Sequence, residues 1–377
     1  MKIVFVSNYF NHHQKPFCEA MYERIGANFT FIATSVMREE RRQLGYAQDD
    51  HPPYVLLAYE GEERYKKSLE LINGADVVIA GSAPDKMLRE RILKDKLLLR
   101  YSERPFKKKV SFLRKAYHWI NFRKRDMFKK NIYMLCAGAY AANDYASLGM
   151  YRNRMYKWGY FPAVKEYDQN ELFLRKKCNT ILWCGRFLDW KHPDDAIKVA
   201  KMLKYAGYDY RLNLIGTGNM DADLQRLVEG FDLSDRVHFL GSMPPEQVRL
   251  HMEEAGIYLF TSDRREGWGA VLNESMNSAC AVVASSDIGS ASYLIHNNEN
   301  GAIYESGNIN ELFEKVLYFL KHPEEQRRAG LNAYETVLSK WNADMAVERL
   351  MEFVEEINKC GTFDAYEDGP CSKAHPM

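Results

Sequence analysis

Short apolar runs alternate with longer stretches of helical spacing along most of the chain. Residues 2–6, 29–33, 76–80, 97–101 and 134–137 read as one set of buried strands, and 180–184, 210–215, 237–240, 257–260 and 281–284 as a second. Helical patterns cover 194–206, 221–231 and 245–255 between members of the second set. Strand–helix alternation builds βαβ units and parallel sheets, and ligands of such sheets bind beyond the carboxyl ends of the strands. The pattern predicts an α/β protein of two Rossmann-like, doubly wound domains, 1–163 and 164–340. The boundary is placed after Tyr160-Phe161-Pro162 and before the charged segment 165–177. A helical stretch at 323–357 breaks near Ser339-Lys340-Trp341. Beyond it, residues 359–377 turn polar, with Gly361, Gly369, Pro370 and Pro376, and are expected to be disordered.

Composition narrows the class. The 377 residues suit two domains, and 46% hydrophobic residues are enough for two cores. A net charge of +1 does not single out nucleic acid as a partner. The first apolar run, 3–6, ends in Ser7-Asn8 and reads as a strand rather than a secretory leader. The longest apolar run, 132–142, is eleven residues, whereas a membrane span needs about 20. A soluble protein, or one bound at most to a membrane surface, is expected. Seven cysteines, an odd number without a CxxC pair, argue against a disulfide framework or a zinc site and for a reducing cytosol.

Three motifs could carry chemistry. Trp183-Cys184-Gly185-Arg186, followed by Lys191, puts a turn-permitting glycine and two cations at the carboxyl end of a strand. Such cations suit a diphosphate, Arg bidentately and Lys as a point charge; two solvated surface cations are an equally good reading of this motif alone. Leu214-Ile215-Gly216-Thr217-Gly218 follows a strand and precedes a helix. It could face a phosphate or be only a tight turn, and Asp221 stands where a full dinucleotide fingerprint would have a third glycine. Asp221-Ala222-Asp223 sits at a helix start, where capping is favoured over metal binding. The strongest motif is Glu266-Gly267-Trp268-Gly269-Ala270-Val271-Leu272-Asn273-Glu274, at a strand-to-helix turn with the helix beginning near Gly269. Its glycines let backbone approach a ligand, the helix start offers N–H groups, and the two carboxylates can accept hydrogen bonds from sugar or ribose diols. The plain alternative has Glu266 capping the helix and Glu274 in solvent.

Glu266 and Glu274, set in Glu-Gly-Trp-Gly, resemble glycosyltransferase family 4, a family of retaining GT-B enzymes. Gly185-Arg186 with Lys191, Ile215-Gly216-Thr217-Gly218 and Val237-His238-Phe239-Leu240-Gly241 match it in order, over about residues 180–345. The resemblance implies a GT-B fold of two Rossmann-like domains facing a cleft, with 341–358 crossing back to the first. It implies a glycosyltransferase that uses a nucleotide diphosphate sugar and needs no metal. Arg186 and Lys191 would hold the diphosphate, Glu274 the ribose and Glu266 the donor sugar. Backbone of Gly267, Trp268 and Gly269 would assist the phosphate, and Ser242 and Met243 would lie near the base. The departing phosphate would accept the acceptor's proton. In the first half, Asn8-Tyr9-Phe10-Asn11-His12-His13-Gln14 replaces the family's Gly-Gly loop. His13 or His12 could contact the acceptor or a phosphate there, or both could be surface histidines, and Glu103 is a second candidate. A saccharide or lipid-linked acceptor and bacterial surface polysaccharide assembly are the implied setting. A nucleotide-sugar epimerase, a phosphorylase or a non-catalytic sugar-binding module could share the architecture.

Residues 104–130 hold eleven Lys or Arg and one acid, Asp126, interleaved with Phe106, Leu113, Tyr117, Trp119, Ile120, Phe122 and Phe128. Docking on an anionic membrane and plain packing against the first domain fit this composition equally, with nucleic acid far behind. The expected location is the cytoplasm, either in solution or peripheral on the membrane's cytoplasmic face.

Overall fold

A computed structural model of the chain describes residues 1–37, 51–108 and 111–377. The chain divides into two compact units, Met1–Ala163 with Asn342–Met377, and Val164–Trp341. Among the described residues, unit 1 holds β1 (Ile3–Ser7), β2 (Phe29–Ala33), β3 (Val55–Leu57), β4 (Val77–Ala80), β5 (Leu98–Ser102), β6 (Ile132–Ala137) and β7 (Met155–Trp158) in one sheet ordered β3-β2-β1-β4-β5-β6-β7. Every neighbouring pair is parallel. Unit 2 holds β8 (Lys177–Cys184), β9 (Arg211–Ile215), β10 (Val237–Gly241), β11 (Ala255–Phe260), β12 (Ala281–Ser285) and β13 (Ala302–Tyr304), ordered β10-β9-β8-β11-β12-β13 and again parallel throughout. These are the two Rossmann-like, doubly wound domains read from the apolar pattern.

The central strands carry apolar residues on both faces because helices cover both sides. In β1, Val4 and Val6 pack with Ile32, Val78, Leu98 and Met134 in one core layer. Phe5 points the other way, edge-on to Phe17, Phe31 and Tyr101. Each such buried side chain contributes about 1.5–3 kcal/mol relative to exposure. In unit 2, Ile181, Trp183, Leu212, Leu214, Ile257, Leu259 and Val283 make the matching layer.

The helical break near residue 341 has a packing cause. Trp341 is fully buried, stacks on Tyr293 at 5.9 Å and lies 5.7 Å from the Trp268 ring. The helix Pro323–Ser339 stops to let that indole turn inward, and Asn342 caps the next helix, Ala343–Cys360, by accepting from the Met345 amide at 2.8 Å. That last helix packs on the helix Lys15–Ile25 within unit 1.

The expectation of a disordered tail is overturned. Residues beyond Gly361 run antiparallel to β7, with Tyr156 bridging Lys373. Backbone bonds join Lys157 N to Ser372 O (2.7 Å), Cys371 N to Lys157 O (2.9 Å) and Ala374 N to Met155 O (3.0 Å). Phe363, Cys371, Ser372 and Ala374 are buried. The physical reason is the edge of the sheet: β7 presents unpaired N–H and C=O groups, and the tail satisfies them.

No helix among the described residues is long and apolar enough to cross a membrane.

Candidate functional site

In unit 2 the strand order turns between β8 and β11, with β9 and β10 on one side and β12 and β13 on the other. Loops leaving the carboxyl ends of two such strands diverge and leave a crevice. The loop after β8 carries Gly185, Arg186 and Lys191; the loop after β11 carries Glu266, Gly267, Trp268 and Gly269. The structure brings the two together. Lys191 Nζ lies 2.6 Å from Glu266 Oε2, and both side chains are largely buried. Ser262 Oγ also donates to Glu266 Oε2 at 3.2 Å.

The two loops are clamped as well as adjacent. The Asp263 amide donates to Trp190 O at 2.9 Å. Trp183 Nε1 donates to Thr261 Oγ1 at 2.8 Å, and that hydroxyl lies 2.7 Å from the Lys191 carbonyl oxygen. Arg265 bonds Asp263 in its own loop and Asp189 across the gap at 3.0 Å. Lys191 is thus held from its backbone and its ammonium at once, the preorganisation an ionic site needs.

Arg186 behaves differently. Its side chain is exposed, and among the described residues no hydrogen bond or ion pair engages its guanidinium. A fixed cation and a free one therefore stand five positions apart on one loop.

Glu274 lies one turn into the helix Val271–Asn277, which starts two residues later than the sequence suggests because Gly269 and Ala270 make a turn first. Burial pushes its carboxyl above the ordinary range, opposed by the charge of Arg249. Burial, then the Cys184 thiol and the Glu274, Cys280 and Glu266 charges, hold the Tyr258 hydroxyl well above its ordinary value. The Cys184 thiol is pushed up to about 12 by burial and Glu274, with Lys191 opposing. Glu266, Glu274 and Lys191 thus act electrostatically on the same Cys184–Tyr258 floor, whose atoms meet at 3.2 Å between Tyr258 Oη and Cys184 O.

The glycines divide by function. A Cβ on Gly269 (φ +84°) would stand 2.4 Å from the Phe260 ring, so this position must be bare for the strand-to-helix turn to close. A Cβ on Gly216 (φ +135°) would stand 1.9 Å from Gly185 O, and one on Gly218 2.3 Å from Phe187 O. The GxG loop after β9 therefore packs backbone to backbone against the cation loop, fastened by Gly185 N to Ile215 O and Phe187 N to Thr217 O. The Gly218 amide donates to Asp221 Oδ2 at 2.9 Å, so Asp221 closes the loop ahead of its helix, whose first turn takes no side-chain cap, and the expected capping role is not seen. Gly216→Ala should lower unfolding stability by more than about 2 kcal/mol, read as the denaturant midpoint. At φ +135° the methyl group is strained in any surroundings, and the 1.9 Å approach to Gly185 O adds to that cost.

Other predicted residues sit elsewhere. Trp268 is wholly buried, its indole donating to Asn273 Oδ1 at 2.9 Å and its carbonyl accepting from Ser290 at 2.6 Å, so a ligand can meet only its backbone. Ser242 and Met243 lie in the loop after β10, Ser242 exposed and Met243 half-buried. His192, Asp194 and Asp195 bring three ligand atoms within 4.8 Å of one another. Lys198 Nζ already occupies that position, 2.7 Å from Asp194 and 2.8 Å from Asp195.

His13 belongs to unit 1, in the loop after β1. Its ring stacks on Tyr160 at 5.7 Å and lies 3.8 Å from the His12 ring. Tyr160 Oη donates to Glu103 Oε1 at 2.7 Å, and Lys107 also pairs with Glu103. His13 and Glu103, far apart in sequence, thus share one polar cluster at the carboxyl ends of β1, β5 and β7.

Sequence reasoning missed Ser262, Arg265 and Arg249. Arg249 Nη1 donates to Glu274 O and Asn277 Oδ1, both at 3.0 Å, and fixes the far end of the helix that carries Glu274. Only the polar loop 261–265 offered a signal for the first two; Arg249 lies in an ordinary-looking helix.

This strand order in two Rossmann-like units of one chain is the GT-B fold of glycosyltransferases. Residues 164–336, within unit 2, match the family described as Glycosyl transferases group 1. Among solved structures, the chain is similar to Anabaena HepE in complex with UDP and glucose (TM-score 0.66, 14% identity, 94% of this chain and 100% of that one). It is also similar to a mutant of TarM from S. aureus in complex with Fondaparinux, alpha-GlcNAc-glycerol and UDP (TM-score 0.64, 12% identity, 94% and 100%). Among sequences, it is 28% identical to the amylovoran biosynthesis glycosyltransferase AmsK of Erwinia amylovora over 47% of this chain and 44% of that protein. It is 28% identical to an uncharacterized glycosyltransferase of Haemophilus influenzae over 38% of this chain and 40% of that protein. These matches span less than half the length of either relative.

Proposed function

We propose that the protein is a retaining glycosyltransferase that moves a hexose-type sugar from a nucleotide diphosphate sugar to a glycan or lipid-linked saccharide, in bacterial surface polysaccharide assembly. The observation that carries this reading is the 2.6 Å pairing of Lys191 with Glu266 at the switch point of the second sheet, beside the unpaired Arg186. A cation clamped in place and a free cation on the same loop are what a diphosphate leaving group requires. The UDP in the HepE and TarM complexes makes a uridine nucleotide the first donor to test, and the amylovoran role of AmsK supports the polysaccharide setting.

In this reading Arg186 and Lys191 hold the diphosphate, with backbone of Gly267, Trp268 and Gly269 alongside. Glu274 accepts from the ribose hydroxyls, and Glu266 meets the donor sugar near its anomeric carbon. Ser242 and Met243 border the base. The bond from anomeric carbon to diphosphate oxygen breaks, the acceptor oxygen bonds to that carbon on the same face, and the acceptor's proton passes to the departing phosphate. The two side-chain cations supply the charge stabilisation, so the reaction needs no metal. His13, stacked on Tyr160 and near Glu103, contacts the acceptor.

The test is thermal-shift titration with UDP, GDP and ADP and their sugars, followed by product detection. One of these nucleotides should raise the melting temperature. Arg186→Ala should weaken its binding about tenfold, close to the 1.4 kcal/mol of one charge-assisted contact, without moving the melting temperature of the free protein. If no nucleoside diphosphate stabilises the wild type, the donor-site reading fails. Epimerised donor with no transfer product would favour the epimerase, and binding with no turnover the binding module.

A further inference from the structure

Helix Phe112–Phe122 and the π-helical turn Arg123–Met127 that follows it are a feature of unit 1 that the donor chemistry leaves unexplained. One side of the helix packs inward. His118 lies 5.7 Å from Phe106 and stacks on Phe122, and Phe122 meets Tyr145 at 5.8 Å. The segment's single acid, Asp126, is also turned inward and fully buried. It accepts from Arg100 at 3.1 Å, Arg125 at 2.8 Å and Tyr151 at 2.6 Å. Arg125 is tied further to Asp85 at 3.0 Å. A network of this kind fixes the segment to the sheet through its own base.

The opposite side is apolar where a solvated helix would be polar. Leu113, Tyr117 and Ile120 are spaced i, i+4, i+7 and so form one stripe. They are 80%, 65% and 43% exposed, and Trp119 (41%) and Phe128 (84%) are exposed in the same segment. Single exposed apolar residues need no explanation, but five within residues 113–128 do. Cations border them: Arg114 and Lys124 are exposed, Lys115 is half-buried, and Arg123 lies over the Trp119 ring at 4.4 Å. With Asp126 buried, no acid of residues 111–130 reaches the surface.

We propose that the outward face of helix Phe112–Phe122, with Phe128, docks on an anionic lipid surface. An aliphatic stripe flanked by cations, with an aromatic ring at its border, is the pattern of a helix lying in the plane of a bilayer interface. Leu113 and Ile120 decide against nucleic acid, because aliphatic side chains gain nothing from phosphates and do not stack on bases. A second copy of the chain fits poorly, since a two-fold contact would set the same cationic borders against each other. This face is separate in residues and in test from the donor site.

The full-length protein should co-sediment with phosphatidylcholine vesicles that contain phosphatidylglycerol and not with pure phosphatidylcholine vesicles, and high salt should release it. Leu113→Asp with Ile120→Asp should reduce the bound fraction at least about tenfold, with the melting temperature and the nucleotide-induced shift both unchanged. The anionic vesicles should also shift tryptophan emission to the blue, and Trp119→Phe should remove most of that shift. Three results would each overturn the proposal: no binding to anionic vesicles, vesicle binding indifferent to Leu113 and Ile120, or loss through these substitutions of nucleic-acid binding or self-association instead. Because nucleotide binding is read separately, failure here leaves the donor reading standing, and failure there leaves this face standing.

Discussion

Lys191→Ala should lower turnover about 10²–10³-fold, or about 3–4 kcal/mol of transition-state stabilisation, the usual cost of removing one preorganised electrostatic partner. The structural ground is that Lys191 is fixed three times over. Its ammonium is paired with Glu266 at 2.6 Å, its carbonyl meets Thr261, and its amide donates to Leu188 O at 2.9 Å. A cation held this way needs little reorganisation as charge develops on the leaving diphosphate. Arg186→Ala should cost less in turnover, because the exposed guanidinium must be ordered by the ligand itself. Glu266→Gln should also lower kcat. The double variant should lose much less than the sum of the singles, since either substitution breaks the same largely buried pair. Initial rates of transfer, or of donor hydrolysis where the acceptor is lacking, give these numbers. Turnover within about threefold of wild type for Lys191→Ala would remove the lysine from the chemistry, and additive losses would mean the pair does not act as a unit.

Much of this was legible in the chain, because parallel strands covered on both faces read as continuous apolar runs. Val77–Ala80 and Ala281–Ser285 are such runs and are unmistakable. The strands that escaped notice are short or interrupted. Val55–Leu57 and Ala302–Tyr304 have three residues each, and Met155–Trp158 carries Lys157 in its middle. All three stand at the ends of their strand orders, flanked by one parallel strand rather than two, where burial presses less on composition. The motif Glu266-Gly267-Trp268-Gly269 marked its place because glycines, a carboxylate and a strand end coincide there. The glycines of the loop after β9 spoke less clearly. Their spacing suits a phosphate loop, but the atoms they must avoid belong to Gly185 and Phe187, about thirty positions earlier. No local pattern records a contact between two loops. The tail failed for a related reason: it is held by backbone bonds to β7, which leave no trace in side-chain hydropathy. Arg249 is silent in sequence because its partners, a carbonyl, an amide side chain and the Ser278 hydroxyl, lie about thirty positions on, in and just after another helix.

The largest effect on stability should come from Arg91→Met, which fits the space but carries no donor. Arg91 is fully buried in unit 1 and points into the gap between a helix end and two strand starts. Its Nη1 donates to Ile72 O and Ala75 O, both at 2.8 Å, at the close of the helix Glu62–Gly74. Its Nη2 donates to Asp76 O at 2.8 Å, just before β4, and Leu97 O takes Nε at 3.0 Å and Nη2 at 2.6 Å, just before β5. Four carbonyls, of which Leu97 O also takes the Val78 amide at 3.4 Å, are bonded by one planar cation, set where the helix C-terminus is electronegative. Burial pulls the guanidinium down to about 10, with Asp76 opposing, so it remains charged at neutral pH. Methionine should therefore cost about 3–5 kcal/mol, as expected when a buried network loses its only donor group. Lysine should recover only part of this, because one ammonium cannot reach four carbonyls spread over a fork. Hydrogen exchange resolves the effect. Amides of β4 and β5 should lose protection in Arg91→Met, while those of β8 and β11 in unit 2 should keep theirs. If β4 and β5 exchange as in wild type, the carbonyls have found water or each other, and the arginine is a passenger in the core rather than the group that joins that helix to the sheet.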